Sequence, residues 1–168
     1  GAGSCRATPK AGGAQPLRIA VLADIHSNLE ALEAVLAALQ RARIDRYVCV
    51  GDVVGYGADP GACVARVREV CDVVIAGNHD WAVGGRLSLE FFNAYAREAI
   101  VWTRTQLSAA DVEWLRDLPI QTDIDQVATL VHSTLHNPSA FDYLLTSYDA
   151  HLSMGVLEEK EEWLELNK

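Results

Sequence analysis

Leu17-Arg18-Ile19-Ala20-Val21-Leu22-Ala23-Asp24-Ile25-His26-Ser27-Asn28 is the stretch that sets the fold. Leu17–Ala23 is a nearly continuous apolar run, the pattern of a strand covered on both faces. It ends on the polar groups Asp24 and His26. Ser27 followed by Glu30 reads as a capping box, and Leu29, Leu32, Val35, Leu36 and Leu39 then repeat at helical spacing. Working outward, Tyr47–Val50 is a second strand. Asp59-Pro60 reads as an N-cap with proline at the first helical position, opening a helix through about Val70. Asp72–Ala76 is a third strand. Strands alternating with helices at this spacing predict an α/β fold with parallel pairing through right-handed crossovers.

The second half of the chain differs. Ser88–Gln106 is predicted as one long amphipathic helix, with Leu89, Phe92, Tyr95, Ala99 and Trp102 near one stripe. Ser108 and Asp111 cap a further helix that stops before Pro119. Ile120–Thr122 and Val127–Ser133 read as an antiparallel hairpin across an acidic turn. After Phe141-Asp142-Tyr143-Leu144-Leu145 the pattern turns helical and acidic, ending at Trp163–Leu166. Three regions are expected: a disordered lead-in at 1–16, partly an expression scar; the main domain at 17–155; and an acidic amphipathic segment at 156–168.

Composition narrows the function classes. The 168 residues are 50% hydrophobic and 22% charged, which suits one globular domain and not a disordered chain. No apolar run approaches the ~20 residues of a membrane helix. The net charge of −9 argues against non-specific nucleic-acid binding, which depends on Lys and Arg meeting phosphates. Cys5, Cys49, Cys63 and Cys71 form no CxxC pair and read as free thiols of a reducing compartment, so the expected address is the cytoplasm.

Each polar cluster directly follows a predicted strand. Asp24 and His26 follow the first, Asp52 the second, Asn78 and His79 the third, and His132 closes the hairpin. In an open parallel sheet these carboxyl-end positions share one edge, where ligands bind. A lone Asp in such a place is usually a cap or turn residue, and a lone His is more often structural than a ligand. Coincidence at four successive strand ends is far less common than either. Carboxylate, imidazole and amide donors together suit Mn²⁺, Fe, Zn²⁺ or Ni²⁺ better than Ca²⁺. A carboxylate with two oxygens can bridge a pair of such ions.

Asp24-x-His26-x-Asn28, Gly51-Asp52-x-Val54-Gly55-Tyr56-Gly57, Gly77-Asn78-His79-Asp80 and Val131-His132-Ser133 resemble, in order and spacing, the calcineurin-like metallophosphoesterases. The compact bacterial phosphodiesterase branch is the nearest likeness, over about Leu17 to Tyr148. The resemblance implies an αββα sandwich and a pair of divalent metal ions. By that likeness Asp24 and His26 bind the first ion, Asp52 bridges both, and Asn78 and His132 bind the second. It also implies catalytic roles for His79, beside the scissile phosphate, and for Asp80, which would hold His79. A water whose pKa the ions lower would be the nucleophile.

The family pattern continues into a Gly-His-x-His motif that gives each ion one more ligand. This chain lacks it, and His136 and His151 do not sit in an equivalent setting. The expected domain is therefore a C-terminally shortened sandwich with about three protein ligands per ion. An apolar edge should be exposed, covered by Val156–Leu166 or by a second copy of the chain in a homodimer. Two functions follow. One is a metal-dependent phosphatase or phosphodiesterase acting on small phosphoesters, weakened by the absent histidines. The other is an inactive member of the fold serving as a binding or scaffold module, as the retromer scaffold subunit does.

Overall fold

The apolar run at the start of the motif becomes β1 (Ile19–Leu22) in the computed structural model, which describes residues 17–124 and 127–166. It is followed by α1 (Leu29–Leu39), β2 (Arg46–Cys49), α2 (Pro60–Val70) and β3 (Val73–Val74). The three strands pair in parallel in the order β1-β2-β3, with Ile19 opposite Arg46 and Val48 opposite Val73. The predicted lead-in at 1–16 lies outside the described residues.

Alternation along the strands builds two layers of core, because successive side chains face opposite sides of a sheet. Leu22 and Cys49 face α1 and α2, where Leu32, Leu36, Val64 and Val67 meet them. Val48 and Ile75 face the other way, onto Ile124 and Leu130 of the hairpin β4 (Gln121–Ile124) and β5 (Ala128–Val131). β2 is thus covered on both sides, which is why Tyr47–Val50 reads as an apolar run. The hairpin is antiparallel, and its expected acidic turn lies at 125–126, outside the described residues. It covers β2 and β3 but leaves the β1 edge open, where Val21 is 59% exposed.

Two helix starts differ from the sequence reading. Ser27 does not cap α1; Asn28 does, its side-chain oxygen accepting the Ala31 N–H at 3.0 Å. Ser27 is drawn into the preceding loop, where its backbone N–H bonds the Val53 carbonyl at 3.0 Å. Replacing Asn28 with alanine should cost about 1 kcal/mol, the usual worth of an N-cap, measurable by urea unfolding.

The expected helix over Ser88–Gln106 is interrupted. A short 3₁₀ turn at Leu89–Phe91 precedes α4 (Ala94–Gln106), which Asn93 caps by accepting the Ala96 N–H. The buried stripe is Phe92, Ala96, Ile100 and Thr103, while Tyr95 and Trp102 are exposed. Between these parts run α3 (Asn78–Val83) and, after α4, α5 (Ala109–Asp117), capped by Ser108 as expected. Arg104 of α4 donates to the Ala82 and Val83 carbonyls and so holds the C-terminal end of α3.

The chain closes with α6 (Ser147–Leu166), opened by a reciprocal pair in which Asp149 accepts the Thr146 N–H and Thr146 accepts the Asp149 N–H. The helix runs unbroken through 155 and 156, the expected start of a separate segment. Lys160 reaches the hairpin, with its Nζ 2.5 Å from Asp123 and 3.1 Å from Thr129. No described helix is long and apolar enough to cross a membrane.

Candidate metal centre

Topology gathers the polar clusters at one edge of the sheet. The loops leaving β1 and β2 run side by side, joined by backbone bonds from Asp24 N to Gly51 O, His26 N to Asp52 O and Ser27 N to Val53 O. Asn78 and His79 stand on the first turn of α3, just past β3, and His132 follows β5. Asp24, His26, Asp52, Asn78, His79 and His132 all line one cavity of about 270 Å³. Six non-glycine residues in or beside this cavity have left-handed backbone: Asp24, His26, Ser27, Asp52, Tyr56 and Phe141. That conformation costs on the order of 1–2 kcal/mol per residue. Strain of this kind gathers where a site must hold a fixed shape.

The geometry around Asp52 decides what the site can hold. His26 Nδ1 lies 3.1 Å from the Val54 carbonyl, and His132 Nδ1 lies 2.7 Å from the Val50 carbonyl. A carbonyl only accepts, so both Nδ1 atoms carry the proton, and in a neutral ring Nε2 is left with its lone pair. Both Nε2 atoms point at the same carboxylate oxygen, Asp52 Oδ2, each at 3.6 Å. That spacing is too long for a hydrogen bond. With Asp52 ionised, three electron-rich atoms converge with no proton between them, and a cation fits such a gap.

Two sets of potential donors share this carboxylate: His26, Asp52 and His79, and Asp24, Asp52 and His132, the donor atoms of each set lying within 4.8 Å of one another. Asp24 Oδ1 also lies 3.9 Å from His26 Nε2, the pair expected at the first ion. Asp24 is exposed, while Asp52 and His79 are buried. The buried His79 Nδ1 has no hydrogen-bond partner. The donor set thus suits divalent ions of the Mn, Fe, Zn and Ni type on this chain's own geometry.

Electrostatics point the same way. Burial, reinforced by the charge of Asp24, pushes the Asp52 carboxyl up to about 7. Burial, and then the neighbouring His26 and His132, pull His79 down to about 4, so its ring is neutral at pH 7. In the metal-free chain the raised value at Asp52 contributes stability that is complete below its ordinary 3.8 and lost as pH rises through about 7. His79 works in the opposite sense, its contribution present above 6.5 and lost as pH falls through about 4. Comparing Asp52→Asn with the parent separates the two. The variant's gain in melting temperature, both proteins metal-free, should grow from about pH 4 to about pH 7.

Asp80 departs from its expected place. Its carboxylate does not hold the His79 ring; Oδ2 accepts the Gly77 N–H at 3.0 Å and Oδ1 the Val54 N–H at 3.2 Å. Fully buried, it clamps the loop after β2 to the start of α3. Burial, with the charge of Asp52, raises its pKa well above the usual carboxylate range. His79 is steadied instead by rings, with centroids of His26 at 4.9 Å, Tyr56 at 4.6 Å and Phe92 at 5.2 Å. Its backbone N–H donates to Asp52 Oδ1 at 2.9 Å.

The aromatic residues that line the cavity, Tyr56, Phe141 and Tyr143, were not identified from sequence. Tyr56 sits between two glycines of the second motif, and that flanking was the available signal.

Comparison with known proteins agrees with this geometry. The model of the calcineurin-like phosphoesterase family matches residues 17–166. An uncharacterised protein of Methanocaldococcus jannaschii is 40% identical over 133 residues, which is 77% of this chain and 55% of that protein. The crystal structure of a metallophosphoesterase from Sphaerobacter thermophilus is 41% identical with a TM-score of 0.70, covering 84% of this chain and 56% of the other. A hypothetical protein from Pyrococcus horikoshii shares the fold at 22% identity and a TM-score of 0.64, covering 86% of this chain and 66% of that one. The chain spans about half the length of the first two. Members of the matched family typically bind divalent metals, as the donor set around Asp52 would. By the extent of these matches, the chain belongs to the calcineurin-like phosphoesterase family.

Proposed function

We propose that this chain is a metal-dependent phosphoesterase, a phosphodiesterase or phosphatase acting on small phosphoesters. The observation that carries the reading is the shared carboxylate, one oxygen of Asp52 facing Nε2 of both His26 and His132 at 3.6 Å. Asp24 and His26 would hold one divalent ion, Asn78 and His132 the other, and Asp52 both. Bound there, the ions would supply Lewis acidity at the phosphoryl oxygens and lower the pKa of the attacking water.

The chain's own groups do the rest. The Val54 and Val50 carbonyls fix the tautomers of His26 and His132, so that no rearrangement is needed when a cation enters. His79 lines the cavity as a neutral ring, which favours a hydrogen bond to the leaving oxygen over full proton donation. Asp80 keeps the two loops in register. The free thiols Cys49, Cys63 and Cys71 support a cytoplasmic address.

The test is hydrolysis of bis-p-nitrophenyl phosphate and p-nitrophenyl phosphate with and without Mn²⁺, against an Asp52→Ala control. A rate that responds to Mn²⁺ in the parent alone supports the reading. No metal-dependent rate above the control would overturn it. The homodimer is part of the same proposal, with a second copy over the open β1 edge at Val21. Sedimentation showing only monomer would remove that element and leave the chemistry standing.

A further inference from the structure

A second cavity, of about 200 Å³, adjoins the metal centre and shares Tyr56, Asn78, His79, Phe141 and Tyr143 with it. Phe91, Phe92 and Asn93 complete its main wall. The rings arrive from three separate segments: the loop after β2, the turn before α4 and the stretch before α6. Two of them stand on left-handed backbone, Tyr56 at φ 60° and Phe141 at φ 55°. Non-glycine residues adopt that conformation only where the surrounding structure enforces it. Phe91 and Tyr143 are 79% and 80% exposed, so their faces are open to whatever enters.

We propose that this cavity is the leaving-group subsite, and that it receives a planar aromatic group, a nucleobase or an aryl ring, joined to the phosphate. Placement of the phosphate rests on the function proposed above; recognition of the ring does not. A phosphoester held by ions at Asp52 would have His79 and Asn78 at the boundary between the two cavities, since both residues line each of them. A substituent extending past His79 therefore enters the second one. In the reaction, water oxygen joins phosphorus, the P–O bond to the leaving oxygen (of the aryl group, or of the ribose that carries a nucleobase) breaks, and that oxygen ends with one of the water's protons.

The lining chemistry selects the substituent. Aromatic faces stack any planar ring, which an alkyl group cannot match. Asn93 uses its carbonyl oxygen on the Ala96 N–H, which leaves its amide nitrogen as a donor for a ring edge. Among the described residues no lysine or arginine lines either cavity, so a second phosphate is not what the subsite is built for.

Adenosine and phenol carry aromatic rings without phosphate, and ribose serves as the control that has no aromatic ring. Each is titrated into the chain, metal-free and loaded with diamagnetic Zn²⁺, and followed by NMR of the aromatic side chains. Adenosine or phenol should bind where ribose does not. Tyr143→Ala and Phe91→Ala should each weaken that binding by roughly 5- to 150-fold, the range for losing one base–aromatic stack. Both residues are exposed, so melting temperatures should stay at the parent value.

Tighter adenosine identifies a nucleobase, and tighter phenol an aryl group. Either supports the subsite. As a second readout, the ratio of kcat/KM for phenyl phosphate over methyl phosphate should fall in Tyr143→Ala. Rings that bind no better than ribose, or variants that bind as the parent does, overturn the subsite. Ring binding without hydrolysis counts against the proposed function alone.

Discussion

Asp52→Ala should remove metal-stimulated phosphoester hydrolysis by on the order of a thousandfold or more. The size follows from what the carboxylate does. It belongs to both sets of potential donors and would hold both ions, so its loss weakens both positions at once. It also accepts the His79 backbone N–H, which sets the start of α3. Calorimetric titration with Mn²⁺ should show the loss directly, as heat that the parent gives and the variant does not. Asp52→Asn separates charge from shape, since it keeps an oxygen for the His79 N–H yet carries no negative charge. Retention of a tenth of the parent rate by either variant would count against a shared bridging ligand.

Gly51→Ala should severely destabilise the fold, although the change adds one methyl group. Gly51 has φ +101°, and a Cβ there would lie 2.3 Å from the Gly77 nitrogen and 2.7 Å from the Ala76 carbonyl carbon. Both neighbours are backbone, so the clash cannot be relieved by turning a side chain. The loops after β2 and β3 would have to part, and they carry Asp52 on one side and Asn78 and His79 on the other. A cost of about 4 kcal/mol or more is expected, against a total stability of about 5–15 kcal/mol for an ordinary domain. Gly61 is the internal control. It lies in the first turn of α2 with nothing near a Cβ, so alanine there should be neutral or stabilising by up to ~1 kcal/mol. Thermal melts of the two variants beside the parent give the comparison. A Gly51→Ala protein melting within a few degrees of the parent would refute the close approach.

The contrast between those two glycines shows where sequence reading stops. Gly51 stands in the Gly51-Asp52 motif and Gly61 at a helix start, but the backbone that Gly51 meets and the open space beside Gly61 are set only by the fold. Strand identity was legible because Leu17–Ala23 and Tyr47–Val50 are largely apolar, but only β2 is covered on both faces as that pattern suggests, since Val21 of β1 is exposed at the sheet edge. Parallel order followed from the alternation of strand and helix. The cap of α1 was misplaced by one residue because Ser27 and Asn28 are both good caps locally. The bond from Ser27 to the Val53 carbonyl, between loops far apart in sequence, settled the choice. The long helix predicted over Ser88–Gln106 failed for a similar reason. Packing buries Phe92 and turns Asn93 into a cap, which no local periodicity announces.

The opening motif and its three companions were enough to fix the α/β class, the strand-end placement of Asp24, His26, Asp52, Asn78, His79 and His132, and the family. Those depend on residue type and spacing, which a chain carries in its order alone. The histidine tautomers, the clamp made by Asp80 and the aromatic wall beside His79 were decided only in three dimensions. The Val50 and Val54 carbonyls, the Gly77 and Val54 amides, and rings from three distant segments do that work. Backbone groups are the same at every position, so only the tertiary structure selects which of them a buried side chain will meet.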